Sequence, residues 1–418
     1  MEARCDLEVE VNGEATFMVN KKILASFSGR FSKLFTKLTG STRKLKVIFH
    51  DFPGGPYGFE LMSRYCYNNG SITITPSNVF LIHSAAHFME IGKDCSATFD
   101  LVEQTENFLD GISNWSWSEL VVALKHSQDL LPAQDVSILF EKILDCLVGR
   151  LGLPIITSPY TTFSENSSFH CSCDTRSTDS RRNYYSASPT TWWFEDLLFL
   201  KVDLIEKVIH TMTSQRLDQA MIYKFLIFYL KAGLYNAATA DKCKISEIVI
   251  SLLSLLDRSS LSCKGLFEVH RLVSSLRISE QHRVMLESLI GSRLDQATVN
   301  HLLITSPCEK EQMFDVNLVL RLVEAFIFDG NSWISFGQLK KVASLMDSYL
   351  FEVAPDLFLK PSKFAALVSA IPDSARRSND RIYQAVDIYL EVHARLSEAE
   401  RMSICSATNQ NGFHSRQN

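Results

Sequence analysis

Leu7, Val9 and Val11 alternate with Glu8 and Glu10, and beyond Asn12-Gly13 the run "ATFMV" resumes an extended pattern. Period-two alternation on both sides of Asn-Gly predicts a β-hairpin over residues 6–19, because both turn residues accept positive φ. Ile23, Leu24, Phe27, Phe31, Leu34 and Phe35 then recur at helical spacing and predict one amphipathic helix, followed by a strand at "LKVIF", residues 45–49. The turn at residues 51–55, "DFPGG", redirects the chain into a helix on which Tyr57, Leu61, Tyr65 and Cys66 share a face. Asn68, Asn69 and Gly70 end that helix, "SITIT" at residues 71–75 reads as a further strand, and Ser77 opens a helix running to Met89. Strands interleaved with helices predict a small α/β unit over residues 1–100. From about residue 96 the pattern is helical almost throughout, with stripes such as Leu339, Val342, Ala343, Met346, Leu350 and Ile382, Ala385, Val386, Tyr389.

One stretch breaks this pattern. Across residues 157–191, 16 of 35 positions are Ser or Thr and aliphatic residues are few, so the segment cannot bury enough surface to offset its ordering entropy and reads as a flexible linker. The rest of the chain is rich in core material, 46% hydrophobic and 11% aromatic over 418 residues, which suits two or three globular domains. The net charge of -5 is spread along the chain, which disfavours nucleic acid and a basic membrane patch as partners. The longest apolar runs, "MIYKFLIFYL" and "ISEIVISLLSLL", are too short to insert across a bilayer, and the N-terminus lacks a signal peptide's apolar core. A cytoplasmic location follows as an expectation. Ten irregularly spaced cysteines read as reduced thiols rather than a disulfide framework.

The block "HDFPGGPYGFELMSRYCYN", followed by "ITPSNV" and "AAHFMEIGKD", resembles the N-terminal BTB/POZ domain of the plant non-phototropic-hypocotyl-like proteins. Five later blocks, "NFLDGISNWSWSELVVALKHSQDLLP", "WWFEDLLFLKVDLIEKVIHTM", "FDVNLVLRLVEAFI", "LKKVASLMDSYLFEVAPD" and "RIYQAVDIYLEVHARLSEAER", resemble that family's successive helical segments in order. The resemblance implies an α/β BTB/POZ domain followed by a mostly α-helical domain. It divides the chain into a BTB domain at 1–100, a helical extension at 101–156, the linker at 157–191, a second helical domain at 192–405 and a disordered tail at 406–418. It implies a homodimer acting as a substrate adaptor for cullin-3 ubiquitin ligases, or alternatively as a scaffold for phototropin-type kinases or auxin-transport components at the plasma membrane. Asn20-Lys21 stands where many BTB domains carry His-Lys, and the polar ending after "SEAER" suggests a shortened family member.

The candidate residues follow from these two readings. Phe27, Phe31 and Phe35 offer more aromatic surface than a small core needs, and the resemblance places a BTB dimer interface there. Phe88 and Met89 are candidate anchors for the cullin, with core packing as the alternative. Trp192 and Trp193 read as core packing, with an exposed hot spot as the sharper reading. Ser378 and Tyr383 are candidate phosphorylation sites whose phosphate could pair with Arg376 or Arg377, and Ser180 lies where a kinase would reach the linker most easily. His83, His87 and Glu90 share a helical face, and "HCSCD" at residues 170–174 clusters three potential ligands. Neither matches the spacing of an HExxH site, zinc ribbon or RING, so ordinary packing and unstructured linker are the readings preferred. No nucleophile elbow, Walker loop or dinucleotide fingerprint occurs, so no enzyme and no cofactor are expected. Any ubiquitin transfer must be performed by a partner.

Overall fold

The computed structural model describes residues 5–36, 45–92, 100–131, 134–152, 191–306, 313–328, 334–376 and 378–409. Its contacts divide the chain into two compact units, Met1–Leu217 and Asp218–Asn418.

In the first unit, β1 (Leu7–Val11) lies between β2 (Ala15–Val19), antiparallel to it, and β3 (Leu45–Phe49), parallel to it. The hairpin turns where its residue types demand, with Asn12 at φ 52° and Gly13 at φ 72°. Asn12 also donates its backbone N–H to Phe49 O at 2.6 Å, and its side-chain oxygen accepts from Phe52 N at 2.8 Å. One residue thus ties the hairpin to the Pro-Gly-Gly turn.

The single helix expected after the hairpin is two, α1 (Lys21–Phe27) and α2 (Gly29–Thr36), because Ser28 between them is extended at φ -113°, ψ 117°. Its hydroxyl donates to Met89 O at 2.5 Å and the Gly29 N–H to Glu90 O at 3.1 Å, so a tertiary bond takes the Gly29 N–H out of the helical ladder while the Ser28 N–H still donates to Leu24 O. Asn20, at the departure from the usual His, caps α1 by accepting from Lys22 N and Ile23 N.

The chain enters α3 (Gly55–Tyr67) through two left-handed residues, Gly54 at φ 68° and Gly55 at φ 57°. A Cβ on Gly54 would lie 2.2 Å from Leu81 Cδ1, and one on Gly58 would lie 2.0 Å from Pro53 O. The glycines therefore permit close approach as well as the turn. The buried stripe of α3 is Gly58, Phe59, Met62, Tyr65 and Cys66, while Tyr57 is 60% exposed. The expected face is corrected by a rotation that lets Phe59 pack on the rings of Phe17, Phe49 and Phe52. "SITIT" forms no strand: Ile72 and Ile74 pack half-buried against the core without a ladder partner.

The remaining helices of this unit are α4 (Val79–Met89), α5 (Leu101–Asp110), α6 (Trp117–Ser127), α7 (Gln134–Leu151) and α8 (Val202–Ser214). α4 is central, in contact with α2, α3, α5, α6 and α7.

The second unit is helical: α9 (Gln219–Asn236), α10 (Thr239–Ser254), α11 (Cys263–Val273), α12 (Glu280–Gly291), α13 (Val299–Leu302), α14 (Val316–Ile327), α15 (Phe336–Val353), α16 (Pro361–Ser369), α17 (Asp380–Val392) and α18 (Glu398–Asn409). Neighbours pack as α9 with α10, α10 with α12, α12 with α14, α15 with α17 and α16 with α18. The last helix runs past the expected start of a polar tail at Ser406, because Ile404 and Ala407 place one apolar face on the unit's core. The rest of the expected tail, from residue 410, lies outside the described residues.

Candidate protein-interaction surfaces

The aromatic residues that the sequence offers for a dimer interface are largely used inside the protomer. Phe31 is fully buried, with its ring stacked on Phe35 and edge-on to Phe49, both at 5.6 Å. Phe35 is also buried, and Phe27 is half-buried against Tyr65 at 5.7 Å. Phe27 at the end of α1 and Phe31 and Phe35 on α2 pack into the protomer's own core. Met89 is likewise fully buried, which corrects its reading as an exposed anchor. Phe88 is half-buried against Phe49 and Phe52, with the Arg30 guanidinium 4.0 Å above its ring.

His83 is buried and its Nδ1 shares a hydrogen bond with Thr105 Oγ1 at 2.9 Å, whereas Glu90 turns to Lys33 at 2.5 Å. Among the described residues no cluster of three or more His, Cys, Asp or Glu side chains converges to hold a metal ion. No helix among them is long and apolar enough to cross a membrane.

On the outer face of the sheet, Lys46 Nζ sits 3.3 Å from Glu8 and 2.8 Å from Glu10. Hydrogen bonds to Glu10 and Glu8 push its amine above the ordinary lysine value. Met18 and Ile48 flank this charged centre, 50% and 46% exposed, and give the face two apolar shoulders.

The stretch "WWFEDLLFL" is a clasp on α6. Ser116 and Glu119 form a capping box at the start of α6, and Ser116's N–H and hydroxyl hold the Glu119 carboxyl below its ordinary value. The cap presents Trp117, whose Nε1 donates to Asp196 at 2.8 Å and whose ring meets Trp192 edge-on at 4.8 Å. Trp193 and Phe194 are buried against each other, and the Lys201 N–H donates to Gln128 Oε1 at 2.8 Å. Lys201 Nζ adds an ion pair with Asp129 at 2.7 Å. Trp193 is therefore buried in this packing, and Trp192 is half-buried against Trp117. Residues 191–217 pack with the first unit, C-terminal of the division that the linker's composition suggested. The sequence reading missed Trp117 and Asp196 as partners, although "SWSE" carries the capping-box signature that positions the indole.

In the second unit Ser378 is exposed just before α17, its Oγ accepting the Asp380 N–H at 3.1 Å, and Tyr383 is 49% exposed. Arg376 is not available to a phosphate. Its side chain is 1% exposed, paired with Asp347 at 2.9 Å and bonded to Ile371 O and Val368 O. Arg377, Ser180, the "HCSCD" cluster and the linker up to residue 190 lie outside the described residues.

A three-stranded sheet with α1–α5 around it, followed by packed helices, defines a BTB module with a helical partner. Residues 1–106 match the BTB/POZ domain and residues 191–411 match the NPH3 family. A BTB/POZ domain-containing protein of Arabidopsis thaliana is 43% identical over 97% of this chain and 78% of the relative. A second from the same plant is 32% identical over 97% of this chain and 82% of its own length. Root phototropism protein 2 of Arabidopsis thaliana is 29% identical, over 96% of this chain and 68% of its own. The chain belongs to the plant BTB/POZ and NPH3 family. Neither matching description is that of a catalytic family. No solved structure matches the chain.

Proposed function

We propose that this protein is a substrate adaptor of a cullin-3 ubiquitin ligase in phototropin- or auxin-related plant signalling. In this reading the BTB module and the helices after it bind the cullin, while the second unit holds the protein to be ubiquitinated. The observation that carries it is the packing of α4 against α3, α5, α6 and α7 at once, which joins the BTB domain and its helical extension into one preassembled body. A preassembled surface binds with a smaller ordering cost than one that must assemble on contact. Self-association belongs to the same reading, with Met18 and Ile48 on the outer sheet face as its apolar contacts. The location is cytoplasmic, with any plasma-membrane association made through partners.

The alternative is a scaffold for membrane-associated kinases or auxin carriers that recruits no cullin. It is favoured by Phe351, Leu357 and Phe358 of the second unit, 43%, 68% and 62% exposed, which offer apolar surface independent of the BTB module. Calorimetry of the full chain with the purified cullin-3 N-terminal domain separates the two. The adaptor requires a Kd of about 10 μM or tighter; absence of binding at roughly 100 μM overturns it and leaves the scaffold.

A further inference from the structure

Between the start of α17 and the middle of α15 lies a cleft of about 660 Å³ lined by Lys340, Lys341, Ser344, Arg376, Ser378 and Arg381, with Asp347 and Asp380 the carboxylates among its described lining residues. Asp347 is neutralised by the buried Arg376 guanidinium, 2.9 Å away. Lys340 Nζ lies 4.3 Å over the Phe336 ring, Arg381 donates to Ser348 Oγ at 2.6 Å, and Lys341 makes a long contact of 4.0 Å with Asp295. Among the described residues, three cations therefore line the cleft beside the Asp380 carboxylate, one of them, Lys341, also within 4.0 Å of Asp295. Ser378 stands at its mouth, exposed, its hydroxyl already turned to the first backbone N–H of α17.

We propose that Ser378 is a phosphorylation site whose phosphate is held in cis by this cleft, clamping the entrance of α17 to α15. A protein kinase would transfer the γ-phosphoryl group of a nucleoside triphosphate to Ser378. The Oγ–P bond forms, the bond from the γ-phosphorus to its bridging oxygen breaks, and a nucleoside diphosphate leaves. The hydroxyl proton passes to the kinase's base and then to solvent.

Phosphoserine carries about -1.5 to -2 charges and three strong acceptor oxygens, which match two lysines, an arginine and the N–H groups opening α17. The buried Arg376 has a different part. Its bonds to Asp347, Ile371 O and Val368 O fix the backbone two residues upstream, so the acceptor serine is presented from an anchored segment. The inference is independent of whether the first unit binds a cullin.

The test uses full-length protein carrying a genetically encoded phosphoserine at position 378, alone and combined with Lys340→Ala and Lys341→Ala. Both lysines project from the surface side of α15, and their truncation leaves the apolar stripe of that helix intact. In the otherwise unchanged protein, ³¹P NMR titration should show the phosphate's second pKa lowered by about one unit from the ordinary ~6. Amide exchange over residues 379–383 should slow about tenfold relative to unphosphorylated protein. The lysine variants should return both readouts to the values of a solvated phosphoserine. A phosphate that titrates near 6 in the unaltered cleft, or exchange that phosphorylation leaves unchanged, overturns the proposal. So does a clamp that survives loss of both lysines.

Discussion

Breaking the Arg376–Asp347 pair should destabilise the second unit far more than removing a surface ion pair. The two side chains are 1% and 9% exposed, with Nε 2.9 Å from Oδ1, and Arg376 also satisfies Ile371 O at 2.5 Å and Val368 O at 3.3 Å. Asp347→Asn takes the paired carboxylate charge from a buried guanidinium, and Arg376→Met takes from a buried carboxylate and two carbonyls the donors that this guanidinium supplies. Each should cost about 3–5 kcal/mol, a large part of a typical domain's 5–15 kcal/mol. The double variant Asp347→Leu, Arg376→Met buries no charge and should recover much of that loss, so the two single effects should be far from additive. Because the chain has two units, the measurement should be local: hydrogen exchange of peptides from α15, α16 and α17 across a urea series. Single variants within about 0.5 kcal/mol of the parent, or a double variant as unstable as the sum of its parts, would refute the reasoning.

Two further outcomes are expected. Gly58→Ala gains about 1 kcal/mol of helix propensity but sets a methyl 2.0 Å from Pro53 O, so a net loss of about 2 kcal/mol or more should appear in thermal melts; a neutral or stabilised variant would contradict the close packing of α3. Burial pushes His270 below its ordinary 6.5; Glu287 and Asp315 pull it up, and Arg321 and Arg283 press it down. The unfolded chain therefore takes up a proton before the folded one does, so His270's contribution is full above pH 6.5 and lost as pH falls through the lower folded value. Urea midpoints measured from about pH 7.5 to 5 should fall less steeply in His270→Gln than in the parent, and identical slopes would remove His270 from the acid response.

The hairpin was legible because Asn12-Gly13 and its flanking alternation are local chemistry that tertiary context had no reason to override. The break at Ser28 was not, since it depends on Met89 O and Glu90 O arriving 61 residues later in the chain. The same non-locality explains "SITIT": its alternation reports two isoleucines meeting a core, which happens here without a partner strand. Periodicity located Phe31 and Phe35 on an apolar face but could not say whether that face is buried by the protomer or by a second copy. The clasp of Trp192 to Asp196 on α6 spans more than seventy residues, so composition put the domain division at the Ser/Thr-rich stretch while packing puts it at Leu217. Ser378 was visible as an exposed candidate, but its neighbouring arginine proved to be a buried structural residue. The cations that face it come from α15 and from the second residue of α17.

The central claim, that the BTB module and its helical extension form the cullin-binding body, is tested most directly by hydrogen exchange of the full chain with and without a saturating cullin-3 N-terminal domain. The account predicts new protection confined to peptides within residues 5–151, with those of residues 218–409 unchanged. Protection confined to residues 218–409, or none anywhere at saturation, would contradict it.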